Sequence, residues 1–210
     1  SEYMLLSEKI ITYAKTELGK KLNESIFISL TDHINSTIDR YKNGIQLKNA
    51  LLWDIKRLYK DEFCIGVEAL KMIKEDLNIE LPEDEAAFIA LHIVNAELNE
   101  EMPNLMNMTK VMQEILNIVK YHYKIDFDEE SLSYYRFITH LKFFAQRLFN
   151  GKTYTDKDDE IYDMIKIKYP IAHECVKKVE KFIKEKYTYD LTKEEKLYLM
   201  IHIQRVTENK

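Results

Sequence analysis

The residues best suited to chemistry in this 210-residue chain are histidines that occupy matching positions in its two halves. When the halves are aligned, His33 corresponds to His140 and His92 corresponds to His202. Histidine has a pKa near neutrality, so an unprotonated and nucleophilic ring nitrogen exists at physiological pH. A phosphoryl acceptor needs such a nitrogen, with room for phosphorus to approach it in line. We therefore take these four histidines as candidate phosphoacceptors.

The residues around the histidines repeat with them, which indicates a tandem duplication. The repeated anchors are His33, Arg40, Asn43-Gly44, Leu81, Glu85, His92 and Ile93 in the first copy, and His140, Arg147, Asn150-Gly151, Leu191, Glu195, His202 and Ile203 in the second. A domain of about a hundred residues is long enough to bury a core of its own. The sequence predicts one domain over 1–103 and another over 104–210, with Pro103 in the linker between them.

Arginines near the histidines could hold the negative charge that phosphorylation adds. Arg40 and Arg147 each follow the first histidine of their copy by seven residues, about two helical turns along the same face. Arg205 is a third candidate. Arg40 and Arg147 could instead pair with local acidic side chains or serve a neighbouring segment or subunit. Asp32 directly precedes a histidine and could orient it, but Thr139 replaces it in the second copy, and helix solvation explains Asp32 equally well.

Helical periodicity runs through almost the whole chain, and four glycines and three prolines leave few turns for a β fold. The sequence predicts an all-α protein made of two homologous five-helix bundles. The predicted helices span residues 3–18, 26–42, 47–60, 62–78 and 83–99, then 107–124, 130–149, 157–168, 170–187 and 193–208. Pro82 is expected at a first helical position, and Thr192 with Glu195 forms a capping-box pattern.

The spacing of apolar residues also predicts which way the histidines face. His33 and His140 lie about 100° from the centre of the apolar stripe of their helices. His92 and His202 fall in the narrow polar sector of helices that are otherwise apolar. All four are therefore expected at the rim of a packed contact, where an added charge would act on packing, rather than in the core.

The composition limits the partners and the compartment. The net charge of −5 argues against nucleic-acid binding by this chain alone. Residues 1–103 carry 12 basic and 19 acidic side chains and residues 104–210 carry 19 and 17, so the two copies could recruit different partners. Cys64 and Cys175, one in each copy, are typical of a reducing cytoplasm. The sequence predicts no membrane-spanning segment and no signal peptide.

These residues resemble those of a known regulatory family. The frame Asp32-His33-Ile34 with Arg40 and Asn43-Gly44, followed by Glu85 and Leu91-His92-Ile93, is similar to a PTS regulation domain, or PRD, and so is its second copy. Two such domains in series resemble the regulatory part of bacterial antiterminators of the BglG/LicT type, over essentially the whole chain. The resemblance implies the PRD fold of two tandem five-helix bundles and a homodimer in which like domains pair.

The resemblance also implies a mechanism for controlling genes of β-glucoside and β-glucan utilisation. The family's phosphoacceptor positions fall on His33 and His92 in the first domain and on His140 and His202 in the second. The sugar-specific PTS permease (enzyme II) would phosphorylate the first domain and inactivate the protein. The carrier protein HPr would phosphorylate the second domain and activate it. RNA would be bound only by an N-terminal module of the family that precedes the residues present here.

Three other interpretations remain open at this point. The two domains could regulate a PTS-controlled DNA-binding activator. The histidines could be ordinary interface residues retained by duplication. A helical metal-dependent hydrolase is a third possibility, but the sequence contains no HExxH motif, nucleophile–base pair or glycine-rich phosphate loop. We accordingly expect no enzymatic activity, metal or cofactor. A lysine-rich segment is expected to be a solvated face or a docking surface for a partner: Lys177, Lys178, Lys181, Lys184 and Lys186.

Overall fold

The computed structural model describes residues 1–151 and 159–208, and this part of the chain is helical without β-strands. It divides into two compact units, Ser1–Leu105 and the chain from Met106 onward. The helices of the first unit are α1 (Glu2–Leu18), α2 (Ile26–Lys42), α3 (Leu52–Leu58), α4 (Lys60–Leu77) and α5 (Glu83–Leu98). Those of the second are α6 (Met102–Tyr123), α7 (Leu132–Asn150), α8 (Asp159–Lys168), α9 (Pro170–Tyr187) and α10 (Lys193–Thr207). The predicted all-α fold of tandem five-helix bundles is confirmed.

The core of the first unit forms where α1, α2, α4 and α5 pack together. Along α2, Leu30, Ile34 and Ile38 recur every four residues and are at most 1% exposed, so one stripe of the helix faces the core. The last helix, α5, is buried on several sides, as its nearly continuous apolar sequence predicts. The histidine-bearing helices α2 and α5 are therefore held against each other by the core itself.

A close approach between α4 and α5 depends on one glycine. A Cβ atom at Gly66 would lie 2.2 Å from the carbonyl oxygen of Ala86, well inside van der Waals contact. Only a residue without a side chain allows the two backbones to come this near. The equivalent position of the second domain is Val176, so that domain does not repeat this feature.

Two predicted helix boundaries were wrong. The third helix begins at Leu52 rather than 47, because Asn49 accepts a hydrogen bond from the backbone of Leu51 at 2.9 Å and holds this segment in a turn. The sixth helix begins at Met102 rather than 107, so Pro103 lies in its first turn and not in a loop. A proline is tolerated there because the first backbone N–H groups of a helix have no intrahelical partner. The predicted start of α8, at 157, lies outside the described residues.

The α5 and α10 helices begin at equivalent positions. The capping box of Thr192 and Glu195 is confirmed, with the Glu195 backbone N–H donating to the Thr192 hydroxyl at 3.2 Å. Pro82 was expected at the first helical position, but it is the N-cap of α5, one residue before the helix begins at Glu83. Thr192 occupies the position in the second copy that Pro82 occupies in the first, so both caps fix the position of the glutamate that follows them.

Candidate functional site

The structure brings the repeated histidines together in pairs, one pair in each domain. In the first pair, the ring centroids of His33 on α2 and His92 on α5 lie 4.9 Å apart. In the second pair, those of His140 on α7 and His202 on α10 lie 4.8 Å apart, with the rings stacked at 25°. All four side chains are partly buried. The predicted location at the rim of a packed contact is thus observed, although the pairing of the rings was not predicted.

A buried carboxylate organises the first pair. Glu85 Oε2 lies 3.1 Å from His33 Nε2 and 3.1 Å from the Thr37 hydroxyl. An ionised carboxylate only accepts hydrogen bonds, so His33 Nε2 carries a proton and donates it. Arg40 donates to the Thr37 hydroxyl at 2.8 Å and reaches Glu85 Oε1 at 3.5 Å. Because the proton of a neutral His33 ring is on Nε2, its unprotonated nitrogen is Nδ1.

The charges of the first pair are set by burial and by these hydrogen bonds. Burial alone would raise the pKa of Glu85, but the hydrogen bonds from His33 and Thr37 and the charge of Arg40 outweigh it and lower that pKa. Burial, together with the charge of His33, lowers the pKa of His92 to about 4. The site thus holds an ionised carboxylate beside a neutral His92.

In the second pair, His140 is the more strongly desolvated histidine. Burial, followed by the charges of His202 and Arg147, lowers the pKa of His140 to about 3. Its Nε2 atom is buried and has no hydrogen-bond partner among the described residues. Burial and the charges of Arg205 and Arg136 also lower the pKa of His202. Both rings are therefore neutral at physiological pH.

The equivalent carboxylate in the second domain has different partners. Glu195 Oε1 and Oε2 lie 2.9 and 3.1 Å from the Tyr189 hydroxyl, which donates to them. The Thr192 backbone N–H donates to Oε2 at 3.1 Å, and Arg147 Nε lies 3.8 Å from Oε1. Glu195 is thus held by the start of its own helix and by the segment before it.

Two substitutions between the copies explain this difference. Phe144 stands where Thr37 stands in the first domain, so no hydroxyl bridges the carboxylate and the arginine. Tyr189 stands where the first domain has Ile79, so a new hydroxyl is available on the other side of the carboxylate. As a result, the carboxylate contacts the histidine in the first domain and the tyrosine in the second.

The two sites also differ in free space. His140, Phe143, Arg147, Glu194, Tyr198 and His202 line an open surface pocket of about 360 Å³. The cavity beside His33, lined by Ile73, Leu81 and Glu85 among others, has no room for a water molecule. A small anion can therefore enter the second site as it stands, whereas the cavity between His33 and Glu85 cannot hold one.

The proposed supporting residues divide into two groups. Arg40 and Arg147 contact the buried carboxylates, which are distant in sequence, rather than a local acid. Arg205 is exposed and acts on His202 through its charge. Asp32 is exposed beside His33 in the sequence, and its carboxylate is not part of the hydrogen-bonding network described above.

Sequence reasoning missed four members of these networks as site residues: Glu85, Glu195, Thr37 and Tyr189. The two glutamates recur at the spacing of the histidines, so the repeat itself contained a signal for them. The other two differ between the copies, and comparing the halves could not identify them.

Within the described ranges 1–151 and 159–208, no group of three or more His, Cys, Asp or Glu side chains is placed to hold a metal ion. No helix in the same ranges is both long enough and apolar enough to cross a membrane.

The low pKa values of His92 and His140 predict acid-sensitive folding. In the unfolded chain these rings bind protons below about pH 6.5, whereas in the folded chain they do so only near pH 4 and 3. Their contribution is therefore complete above pH 6.5 and is lost as the pH falls. Linkage gives a loss of about 2 kcal/mol per histidine in the free energy of unfolding at pH 5.

Chemical denaturation at pH 7.5 and pH 5.0 measures this effect. The His92→Asn, His140→Asn double variant should lose about 4 kcal/mol less than the wild type between the two pH values. Equal losses in the two proteins would show that these rings are not desolvated in the folded state.

Comparison with known proteins gives the family. A model described as "PRD domain" matches residues 8–96 and 113–206. The chain is 64% identical over 207 residues to "Transcription antiterminator LicT" of Bacillus subtilis (strain 168). This alignment covers 99% of this chain and 75% of that protein. It is 49% identical over 205 residues to "Beta-glucoside operon antiterminator" of Dickeya chrysanthemi, covering 98% and 72%.

Among solved structures, "Crystal structure of GlcT CAT-PRDI" matches 46% of this chain and 58% of that one, at 38% identity and a TM-score of 0.45. The two PRD matches cover both histidine pairs, and the high identity to the Bacillus subtilis protein extends over nearly the whole chain. This chain therefore belongs to the PRD domain family and contains the domain twice.

Proposed function

We propose that this chain is the phosphorylation-controlled regulatory region of a bacterial transcription antiterminator for β-glucoside or β-glucan utilisation. The observation that carries the proposal is the pair of partly buried histidines beside a carboxylate and an arginine in each PRD domain. Two relatives that share this tandem arrangement over at least 98% of the chain are antiterminators by name. The neutral histidines and the nearby arginines are the parts that a phosphoacceptor site needs.

Each part of the second site has a role in phosphoryl transfer. His140 and His202 are neutral at physiological pH, so their ring nitrogens are nucleophilic without prior deprotonation. The open pocket admits a phosphoryl group, and the Arg147 guanidinium on its wall offsets the incoming charge. The phosphoryl donor proposed for this domain is HPr. The phosphoryl group leaves the donor's histidine, a new N–P bond forms on the acceptor, and the chain supplies position and charge rather than bond-breaking chemistry.

The first site is proposed to respond to a different donor, the sugar-specific PTS permease (enzyme II). Its acceptors are His33 and His92, and the cavity between His33 and Glu85 has no room for a water molecule. Because His33 donates through Nε2 to Glu85, the nitrogen of His33 that is free to accept a phosphoryl group is Nδ1. In the proposed mechanism the permease phosphorylates this domain when sugar is absent and inactivates the protein, whereas HPr activates it through the second domain.

The signal is proposed to pass through a cytoplasmic homodimer in which like domains pair. A phosphohistidine carries roughly two negative charges. In the proposed mechanism, the charge added to His140 or His202 changes the packing of α7 against α10 and the surface that the domain presents. An RNA-binding module upstream of the residues present here would respond to the altered dimer.

Replacing His140 and His202 together with aspartate should tighten the dimer. Each aspartate adds a fixed negative charge where the phosphate would sit, close to Arg147 and Arg205, and so favours the same repacking. We expect the dimer dissociation constant to fall by about tenfold, equivalent to about 1.4 kcal/mol. Sedimentation-velocity ultracentrifugation over a concentration series measures this change.

His122→Asp with His173→Asp is the matched control, since neither histidine has a repeat partner. An unchanged sedimentation coefficient distribution for the His140→Asp, His202→Asp variant would contradict the dimer mechanism.

A further inference from the structure

Helix α8 exposes an apolar stripe that no described part of its own domain covers. Ile161, Met164 and Ile167 follow one another at intervals of three and are 46%, 69% and 79% exposed. The opposite side of the helix packs against α10 and α9, where Tyr162 is only 8% exposed. A helix with apolar residues on both sides is packed on one and available for contact on the other.

The fold itself does not require this stripe. The equivalent positions of the first domain are Leu51, Asp54 and Arg57. Leu51 is buried at 7% exposure, and the other two are charged. The first domain therefore does not repeat the stripe at these positions, although α3 exposes the apolar ring of Trp53 elsewhere on its surface.

Two charged residues of α8, Glu160 and Lys168, lie symmetrically about Met164. Glu160 lies four residues before Met164 and Lys168 four residues after it, while Ile161 and Ile167 lie three residues to either side. Residues three and four apart share one helix face. Glu160 and Lys168 are both exposed, with Lys168 Nζ at 5.3 Å from the centre of the Tyr169 ring. The exposed face therefore has an acidic end, an apolar middle and a basic end.

Such a face is complementary to itself when two copies run antiparallel. A two-fold axis through Met164 places Glu160 of each helix opposite Lys168 of the other and Ile161 opposite Ile167. The two helix dipoles also oppose each other. A parallel arrangement would place like charges side by side. Self-complementarity about a two-fold axis is the requirement of an isologous dimer contact.

We propose that α8 packs antiparallel against α8 of a second copy of this chain, with Met164 at the two-fold axis. This inference rests on the proposed function in one respect: it adds a specific contact to the homodimer proposed there. Two helices of ten residues bury far less than the roughly 1,200 Å² of a standard stable interface. The contact therefore adds to a dimer that is also held elsewhere, and it brings the two second domains into a fixed register.

A cysteine placed on the axis tests the geometry. In a Cys64→Ser background, Met164→Cys should form a disulfide-linked dimer under mild oxidation, because residues on the axis approach within about 7 Å. Lys181→Cys, exposed on α9, is the matched control and should cross-link much less. Cys175 is buried and does not interfere. Circular dichroism checks that each variant is folded.

Charge reversal then tests the pairing. In the Met164→Cys protein, Glu160→Lys or Lys168→Glu alone should slow cross-linking by about fivefold, because each creates like-charge contacts at both ends. The two together should restore the original rate. Cross-linking no faster than at Lys181→Cys, or a double variant as slow as the single ones, would overturn the inference.

The same proteins separate this inference from the proposed function. Phosphoryl transfer from HPr is measured on the Met164→Cys variant before oxidation. Normal cross-linking without phosphoryl transfer would count against the phosphorylation mechanism and leave the α8 contact standing. Normal transfer without cross-linking would remove the α8 contact alone.

Discussion

The second domain should take up no acid-labile phosphate once His140 and His202 are both replaced by alanine. Incubation with enzyme I, HPr and phosphoenolpyruvate should label the wild-type chain on peptides from α7 and α10. Removing both rings removes every neutral imidazole that lines the open pocket. We expect labelling of these peptides to fall at least about a hundredfold, the scale of losing an essential nucleophile rather than a supporting group. Phosphosite mapping by mass spectrometry at alkaline pH is the measurement.

The control for this experiment uses the unpaired histidines. His122→Ala with His173→Ala removes the same number of imidazoles from the second domain and should leave labelling unchanged. His140→Ala and His202→Ala singly then identify the main acceptor of the pair. Wild-type labelling of the His140→Ala, His202→Ala protein within α7 or α10 would exclude these histidines as acceptors.

A single methyl group at Gly66 should destabilise the first domain strongly. A Cβ there would lie 2.2 Å from the Ala86 carbonyl oxygen and 2.9 Å from its carbonyl carbon. Backbone atoms cannot rotate away as the end of a side chain can, so α4 and α5 must move apart. Gly66→Ala would normally favour a helix, but we expect overpacking to reverse the sign and lower the free energy of unfolding by about 3 kcal/mol.

Denaturant titration followed by circular dichroism measures this loss. Cys64→Ala is the matched control, because Cys64 is exposed on the same helix, and we expect a change within about 0.5 kcal/mol. A Gly66→Ala protein as stable as the wild type would mean that α4 and α5 do not approach as closely as the structure shows.

Much of the fold could be predicted because periodicity and duplication are local properties of the sequence. The apolar stripe of α2 and the capping box at Thr192 depend on residues within a few turns of each other. The boundaries that were wrong depend on tertiary context. The Asn49 turn is also held by a hydrogen bond from its backbone N–H to Asp84 at 2.8 Å, across 35 residues of sequence.

The candidate site shows the same division. The duplication identified the four histidines and the arginines Arg40 and Arg147, since both copies keep them. It could not identify Thr37 or Tyr189, because each occurs in one copy only. Nor could helical geometry show how deeply His140 is desolvated, since that depends on how α7 and α10 pack together.

The different attachments of Glu85 and Glu195 give the two domains unequal tolerance to change. His33 is a proposed acceptor and also donates a hydrogen bond to the buried Glu85, so replacing it removes one of the three partners of that carboxylate. His140 has no equivalent role, because the Tyr189 hydroxyl and the Thr192 backbone N–H donate the hydrogen bonds to Glu195 instead. Replacing His140 should therefore disturb the second domain less than replacing His33 disturbs the first, so the histidine pair of the second domain is freer to diverge.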